Sequence, residues 1–143
     1  MALQGGDPRA GRRIFFQRAD VACVRCHKVD KQGGDVGPEL TGIGTRQNRQ
    51  YILESILFPN AQIAAGFETT VATLKNDDMV VGILKSEDAN QLVLNTVDNG
   101  PVTIKKSDLE SRARGLSAMP EGLGVALNKK DLRDLVEFLG SSR

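Results

Sequence analysis

Apolar residues recur at helical spacing in three stretches of the chain. In the first, Asp7-Pro8 is a typical N-cap and first helical residue, and Gly11, Ile14 and Phe15 then share one face. The other two stretches carry the apolar stripes Ile52, Leu53, Ile56, Leu57 and Leu132, Leu135, Val136, Leu139. The pattern predicts three amphipathic helices, near residues 8–18, 49–58 and 129–139.

Residues 67–105 follow a different pattern, in which β-branched-rich runs of strand length alternate with turn-forming residues. The runs are Phe67–Leu74, Met79–Leu84, Gln91–Val97 and Val102–Lys105. We expect a small antiparallel meander of three or four strands, inserted into a single domain that spans residues 1–143. The charged stretch 107–114 is predicted to be a short helix or a strap, and residues 116–127 a loop. The predicted fold class is therefore mainly α, with a β-insert at residues 67–105.

The most informative motif is Cys23-Val24-Arg25-Cys26-His27, because CxxCH is the attachment signature of c-type haem. Two thiols at this spacing can each form a thioether with one of the two porphyrin vinyl groups. The histidine that follows can then ligate the iron. His27 is the only histidine of the chain, so no other imidazole can take this role. The motif predicts one covalently attached haem c, with Cys23 and Cys26 as anchors and His27 as an iron ligand.

A CxxC pair has two other common uses, which are a thioredoxin-like redox pair and half of a zinc site. The redox pair is expected near a βαβ pattern, and no such pattern follows here. Zinc needs four ligands, and the chain has neither a third cysteine nor a second histidine. The sequence therefore favours haem over both alternatives.

Composition narrows the setting of the protein. The 19 basic and 18 acidic side chains give a net charge of +1, so no strong field indicates binding to nucleic acid or to an anionic membrane. No apolar run approaches the ~20 residues that span a bilayer, and no secretory signal is visible at the start of the sequence. Because haem is ordinarily attached to CxxCH outside the cytoplasm, we expect a periplasmic or otherwise exported protein, in the form of a mature or excised domain.

Three methionines are candidates for the sixth iron ligand, namely Met1, Met79 and Met119. Met119 is followed by Pro120, which fixes the next φ angle and biases Met119 toward an extended backbone. Met79 lies in a predicted strand, where it is most simply a core residue, and Met1 is terminal. These observations favour Met119 as the ligand. Ligation by Met79, and a five-coordinate haem with Met119 as a core filler, are the open alternatives.

Outside the β-insert, the chain resembles a class I c-type cytochrome over residues 7–60 and 116–139, in the order helix, CxxCH, loop, helix, methionine loop, helix. Several segments also resemble a narrower family, the haem-binding domain found fused to large dehydrogenase-like proteins of planctomycetes and verrucomicrobia. Those segments are Gly37–Gly44, Tyr51–Leu57, Ser117–Leu123 and the strand-rich insert. The resemblance implies a cytochrome c-like helical core around the haem.

The resemblance also implies roles for individual residues. In class I cytochromes a proline carbonyl in the loop after the motif accepts the Nδ1–H of the ligating histidine, and Pro38 matches that position. This bond would fix the ring and make the imidazole a better electron donor. Leu40 would pack against the porphyrin, and Met119 has the place of the distal methionine before the last helix.

We expect a monohaem cytochrome domain, and no enzyme activity, with single electrons carried between an exported dehydrogenase and a downstream acceptor. The resemblance implies a redox protein or a fused dehydrogenase domain as the donor, and a terminal oxidase or another cytochrome as the acceptor. Two other hypotheses remain open. One is a haem-based sensor of gas or redox state, or a ligand-binding module, with a displaceable sixth ligand. The other is a domain that docks through the β-insert, with haem as structural support.

Overall fold

The computed structural model describes residues 4–142, which form six helices and seven strands. The α-helices are α1 Pro8–Gln17, α2 Cys23–Cys26, α3 Ile43–Arg46, α4 Arg49–Leu57, α5 Leu123–Ala126 and α6 Lys129–Gly140. The strands are β1 Lys28–Val29, β2 Gln32–Gly33, β3 Thr69–Leu74, β4 Met79–Glu87, β5 Gln91–Thr96, β6 Gly100–Lys105 and β7 Leu109–Arg114, and a 3₁₀ turn at Lys106–Asp108 joins the last two.

The prediction of a mainly α fold is wrong. About 33% of the structure is helical and 27% is strand, because strands β3 to β7 form one five-stranded antiparallel sheet in the order β6-β5-β4-β3-β7. The expected meander of three or four strands lacked β7, which was predicted to be a short helix or a strap. β7 is an edge strand whose charged residues alternate with Leu109, Ser111 and Ala113, so its apolar pattern is too weak to identify a strand.

The chain divides into two compact units. The helical unit comprises the described residues up to Gln62 and from Met119 onward, and the sheet unit comprises Ile63–Ala118. The sheet unit therefore extends beyond residues 67–105 on both sides. Among the described residues, no helix is long and apolar enough to cross a membrane.

The helical unit is built around the packing of α1 against α6. Phe15 and Leu135 are each 1% exposed and belong to one apolar cluster, to which α4 adds Ile52. At Gly11 the two helices come so close that a Cβ atom would collide with the backbone of Asp134. Asn48 caps α4 through its side chain, and α6 begins with a capping box between Asn128 and Asp131.

The sheet unit has its own apolar core. Ala72, Leu92, Leu94 and Ile104 are buried on one face of the sheet, and Leu92 lies opposite Ile104 in the register of β5 and β6. At the end of β4, the Glu87 carboxylate accepts hydrogen bonds from Arg112 of β7 and forms an ion pair with Lys106 at 2.8 Å. These charges tie β4 to the edge strand and to the turn after β6.

Candidate haem-binding site

The two cysteines lie at the two ends of α2, a single helical turn. Ala22 precedes this turn in the left-handed conformation (φ 52°), and His27 follows it in an extended conformation, with its N–H donating to the carbonyl of Cys23 at 3.0 Å. Neither cysteine forms a disulfide, and both are half-buried. Burial raises the pKa of the Cys23 thiol to about 11 and also raises the pKa of Cys26. Both sulfurs are therefore protonated thiols near neutral pH, which disfavours a reactive redox pair.

The His27 imidazole is held by one hydrogen bond of defined direction. Its Nδ1 lies 2.8 Å from the carbonyl oxygen of Pro38. A carbonyl oxygen can only accept, so Nδ1 carries the proton and the lone pair is left on Nε2. Burial lowers the pKa of His27, and the bond to Pro38 offsets part of that effect. The ring is thus neutral near pH 7, with Nε2 able to bind a metal.

The loop that carries Pro38 is fastened to the CxxCH segment along its length. Gly34 donates to the carbonyl of Val24 at 2.9 Å, and Gly37 donates to the carbonyl of Cys26 at 2.8 Å. Further along, Leu40 donates to the carbonyl of Lys28 at 2.8 Å. The loop is therefore hydrogen-bonded to the motif before and after Pro38, and the position of Pro38 relative to His27 is fixed on both sides.

Arg46 closes the far end of the same loop. Its guanidinium donates to the carbonyls of Thr41 and Glu39 at 2.9 and 3.1 Å, and the Thr41 hydroxyl accepts from the Asp30 backbone at 2.8 Å. The sequence motifs indicate no loop-bracing role for Arg46 or Thr41. The sequence gives only a weak signal for these contacts, because arginine and threonine are common in polar loops. Their backbone partners become known only in the folded structure.

Leu40 and Met119 are half-buried and pack against the apolar cluster of the helical unit. Their predicted contacts with a porphyrin remain predictions. Met79 lies on β4 in the sheet unit and is 62% exposed, so its expected place in a core is wrong. The structure thus brings Cys23, Cys26, His27 and Pro38 together and has Met119 in the same unit.

The residues of this site fit a haem. The site offers two thiols at thioether spacing and one neutral imidazole with a free Nε2, in a unit that also has partly buried apolar side chains. The partly buried apolar side chains of the helical unit, which pack against its core cluster, include Val24, Leu40, Ile43, Leu53, Leu57 and Met119. Within residues 4–142, no group of three or more histidine, cysteine, aspartate or glutamate side chains could hold a metal ion. A zinc site made of these side chains therefore has no ligand set in the described part of the chain.

Comparison with known families agrees with this donor set. The sequence model of the cytochrome c family matches residues 8–94, which is more than half of the chain and includes the whole CxxCH segment and the Pro38 loop. Proteins of that family bind haem c covalently, transfer electrons through its iron, and are typically exported or periplasmic. With residues 8–94 matched, this chain belongs to the cytochrome c family.

Proposed function

We propose that this protein is a monohaem electron carrier, with haem c attached to Cys23 and Cys26 and with iron ligated by His27 and Met119. The observation that carries the proposal is the 2.8 Å contact between Nδ1 of His27 and the Pro38 carbonyl. It leaves Nε2 of the only histidine without a proton, and the nitrogen that binds iron must be unprotonated. When bound, the haem supplies a one-electron Fe(II)/Fe(III) couple.

The proximal residues support an electron carrier because they are held rigidly. The hydrogen bonds of Gly34, Gly37 and Leu40 to the CxxCH segment allow little movement of the loop behind the imidazole. A ligand that does not move between oxidation states keeps the structural change on electron transfer small. The same rigidity is of no use to a sensor, which must convert ligand binding into movement.

Met119 is the proposed second ligand that would hold the iron. A thioether sulfur is neutral and soft, so it stabilises Fe(II) relative to Fe(III) and raises the reduction potential. With His27 and Met119 both bound to the iron, no position would be left open for oxygen or peroxide, which would suit a carrier and not an enzyme. Pro120 supports this role because it restricts the backbone of Met119 to extended conformations.

The proposed partners follow from the narrower family resemblance. We infer a redox protein or a fused dehydrogenase domain as the electron donor, and a terminal oxidase or another cytochrome as the acceptor. We also propose a periplasmic or otherwise exported location, since cytochrome c domains are typically found there. The near-zero net charge gives no long-range attraction to nucleic acid, so protein partners are favoured.

The test is a visible and near-infrared spectrum of protein produced with a haem-attachment system, followed by a potentiometric titration. We expect low-spin iron in both oxidation states, a methionine-to-iron charge-transfer band in the oxidised protein, and a single one-electron transition. Carbon monoxide added to the reduced protein should leave its visible spectrum unchanged. High-spin ferric iron, or rapid uptake of carbon monoxide, would support a sensor instead, and colourless protein would contradict any haem function.

A further inference from the structure

We propose that Gly37 is a positioning residue that sets the plane of the His27 imidazole, and this inference rests on the proposed function. A Cβ atom built on Gly37 would lie 2.7 Å from Cε1, 2.9 Å from Nδ1 and 3.2 Å from Nε2 of His27. Three ring atoms thus lie within 3.2 Å of the position that a Cβ atom would take, so the backbone of Gly37 lies directly against the imidazole. Any side chain at this position would occupy space that the ring now fills.

Glycine is needed at position 37 for space and not for backbone conformation. Gly33 and Gly42 adopt positive φ angles of 127° and 70°, which favour glycine by themselves, whereas Gly37 is not among the positive-φ residues. Alanine could therefore adopt the backbone conformation of Gly37 without strain. The whole cost of the substitution would fall on the contact with His27.

The loop cannot move away to relieve that contact. The Gly37 N–H donates to the Cys26 carbonyl at 2.8 Å, and the next residue, Pro38, accepts from His27 itself at 2.8 Å. Val36, on the other side of Gly37, is buried. Because the loop is held before and after position 37, we infer that the imidazole would have to turn about its Cβ–Cγ bond, with a poorer hydrogen bond from Nδ1 to Pro38.

The plane of an axial imidazole matters for the iron it binds. Its π orbital interacts with only some of the iron d orbitals, and the ring plane decides which ones. The hydrogen bond at Nδ1 also sets how strongly the ring donates. A turned ring should therefore alter both the magnetic anisotropy of the oxidised protein and its reduction potential, and a loss of general stability would alter neither.

Gly44 supplies a matched control. A Cβ atom on Gly44 would also collide with a neighbour, in this case with the backbone carbonyl of Gly140 at the end of α6, and Gly44 likewise has no positive φ. The nearest atoms around Gly44 include none from His27. Gly44→Ala therefore introduces a clash in the same unit that is more severe than the one at Gly37 but lies away from the imidazole.

The experiment compares haem-loaded wild type, Gly37→Ala and Gly44→Ala by electron paramagnetic resonance of the oxidised state, potentiometric titration and thermal unfolding. We expect Gly37→Ala to change the spread of g values and to shift the potential. Gly44→Ala should lower the melting temperature while both of the other quantities stay at the wild-type values. Unchanged g values and potential in Gly37→Ala, or equal changes in both variants, would overturn the inference.

A second measurement on wild type decides the case if Gly37→Ala yields no haem-loaded protein. In the reduced, diamagnetic state, an α proton of Gly37 should show a strong nuclear Overhauser effect to the Hε1 proton of His27. Absence of that effect would overturn the inference. Failure of the proposed function is separate, since it would appear in the wild-type spectrum as iron without histidine and methionine ligation.

Discussion

The helical unit and the sheet unit bury their apolar residues in different ways. In the sheet unit, regular strand pairing places Ala72, Leu92, Leu94 and Ile104 on one face. The backbone groups of these strands are hydrogen-bonded to the neighbouring strands. In the helical unit, one-turn helices and a glycine-rich loop leave backbone groups that hold side chains, as the Pro38 carbonyl holds His27. Both cysteines and the only histidine belong to the helical unit. The comparison indicates that cofactor chemistry is concentrated where the chain is irregular and closely fastened.

The largest expected effect is the loss of covalently attached haem, which should follow from substitutions in the helical unit only. The double variant Cys23→Ser, Cys26→Ser removes both anchors, so covalently attached haem should be lost entirely. The measurement is haem-dependent staining after denaturing electrophoresis, together with a pyridine haemochrome spectrum. The sheet unit contains neither cysteine. Ser86→Ala in the sheet unit is the control and should stain like wild type; staining of the double variant would contradict thioether attachment.

The two methionines provide the next test, one in each unit. Met119→Ala should keep the haem attached but abolish the methionine-to-iron band, lower the reduction potential and allow carbon monoxide to bind. Met79→Ala is the matched control, because Met79 is 62% exposed in the sheet unit, and it should leave all three properties unchanged. A band that survives in Met119→Ala and disappears in Met79→Ala would transfer the ligand assignment to Met79.

Core truncations should distinguish the units by stability. Leu135 is 1% exposed in the helical unit and Leu92 is 0% exposed in the sheet unit. Replacing either leucine with alanine leaves a cavity and should lower the free energy of unfolding by about 2–5 kcal/mol. We expect Leu135→Ala to shift the denaturation midpoint followed by haem absorbance. Leu92→Ala should shift the midpoint followed by the strand signal in circular dichroism while leaving the wild-type haem spectrum in water.

The smallest expected effect is an acid dependence confined to the sheet unit. The hydrogen bonds from Arg112 and then Lys106 lower the pKa of Glu87 from 4.5 to about 2. A lowered pKa in the folded state stabilises it above pH 4.5, and this contribution disappears as the pH falls toward 2. Glu87→Gln should therefore weaken the pH dependence of sheet-unit stability in that range, measured by urea denaturation. Glu110→Gln on β7 is the control, and an equal change in that variant would contradict the assignment.

In the helical unit, hydrogen bonds lower the pKa of a buried carboxylate, Asp134, against the effect of its burial. Burial alone would raise the pKa of Asp134, but hydrogen bonds from the Asp7 backbone at 2.8 Å and the Lys130 ammonium at 2.7 Å lower it overall. Stability from Asp134 is therefore present above the ordinary pKa of an aspartate and is lost as the pH falls below it. Asp134→Asn should reduce the acid sensitivity of the haem-monitored transition.

The long amphipathic elements could be predicted from the sequence because one periodicity determines each of them. α1, α4 and α6 end within about two residues of the predicted bounds, and so do most ends of β3 to β6. β7 was not predictable in this way, because its charged residues alternate with Leu109, Ser111 and Ala113, which give too weak an apolar pattern to identify a strand. The hairpin of β1 and β2 depends on Asp30 and Lys31 at φ angles of 51° and 69°, which no local pattern indicated.

The site was predictable as far as a motif defines its chemistry. CxxCH named Cys23, Cys26 and His27 directly, whereas Pro38 and Met119 depended on resemblance to other cytochromes. The role of Gly37 could not be read from the sequence, since the loop contains several glycines and only the folded chain distinguishes them. Three glycines, at positions 33, 34 and 37, in fact lie against the backbone or ring of the CxxCH segment.

The half-buried thiol of Cys23 has a consequence for how the protein is made. With its pKa raised to about 11 by burial, this sulfur is almost entirely a protonated thiol at pH 7. A chain that has already folded around Cys23 is therefore a poor nucleophile, both toward an oxidant and toward a vinyl group. We therefore expect haem to be attached most readily to the unfolded chain, which then folds around the attached haem.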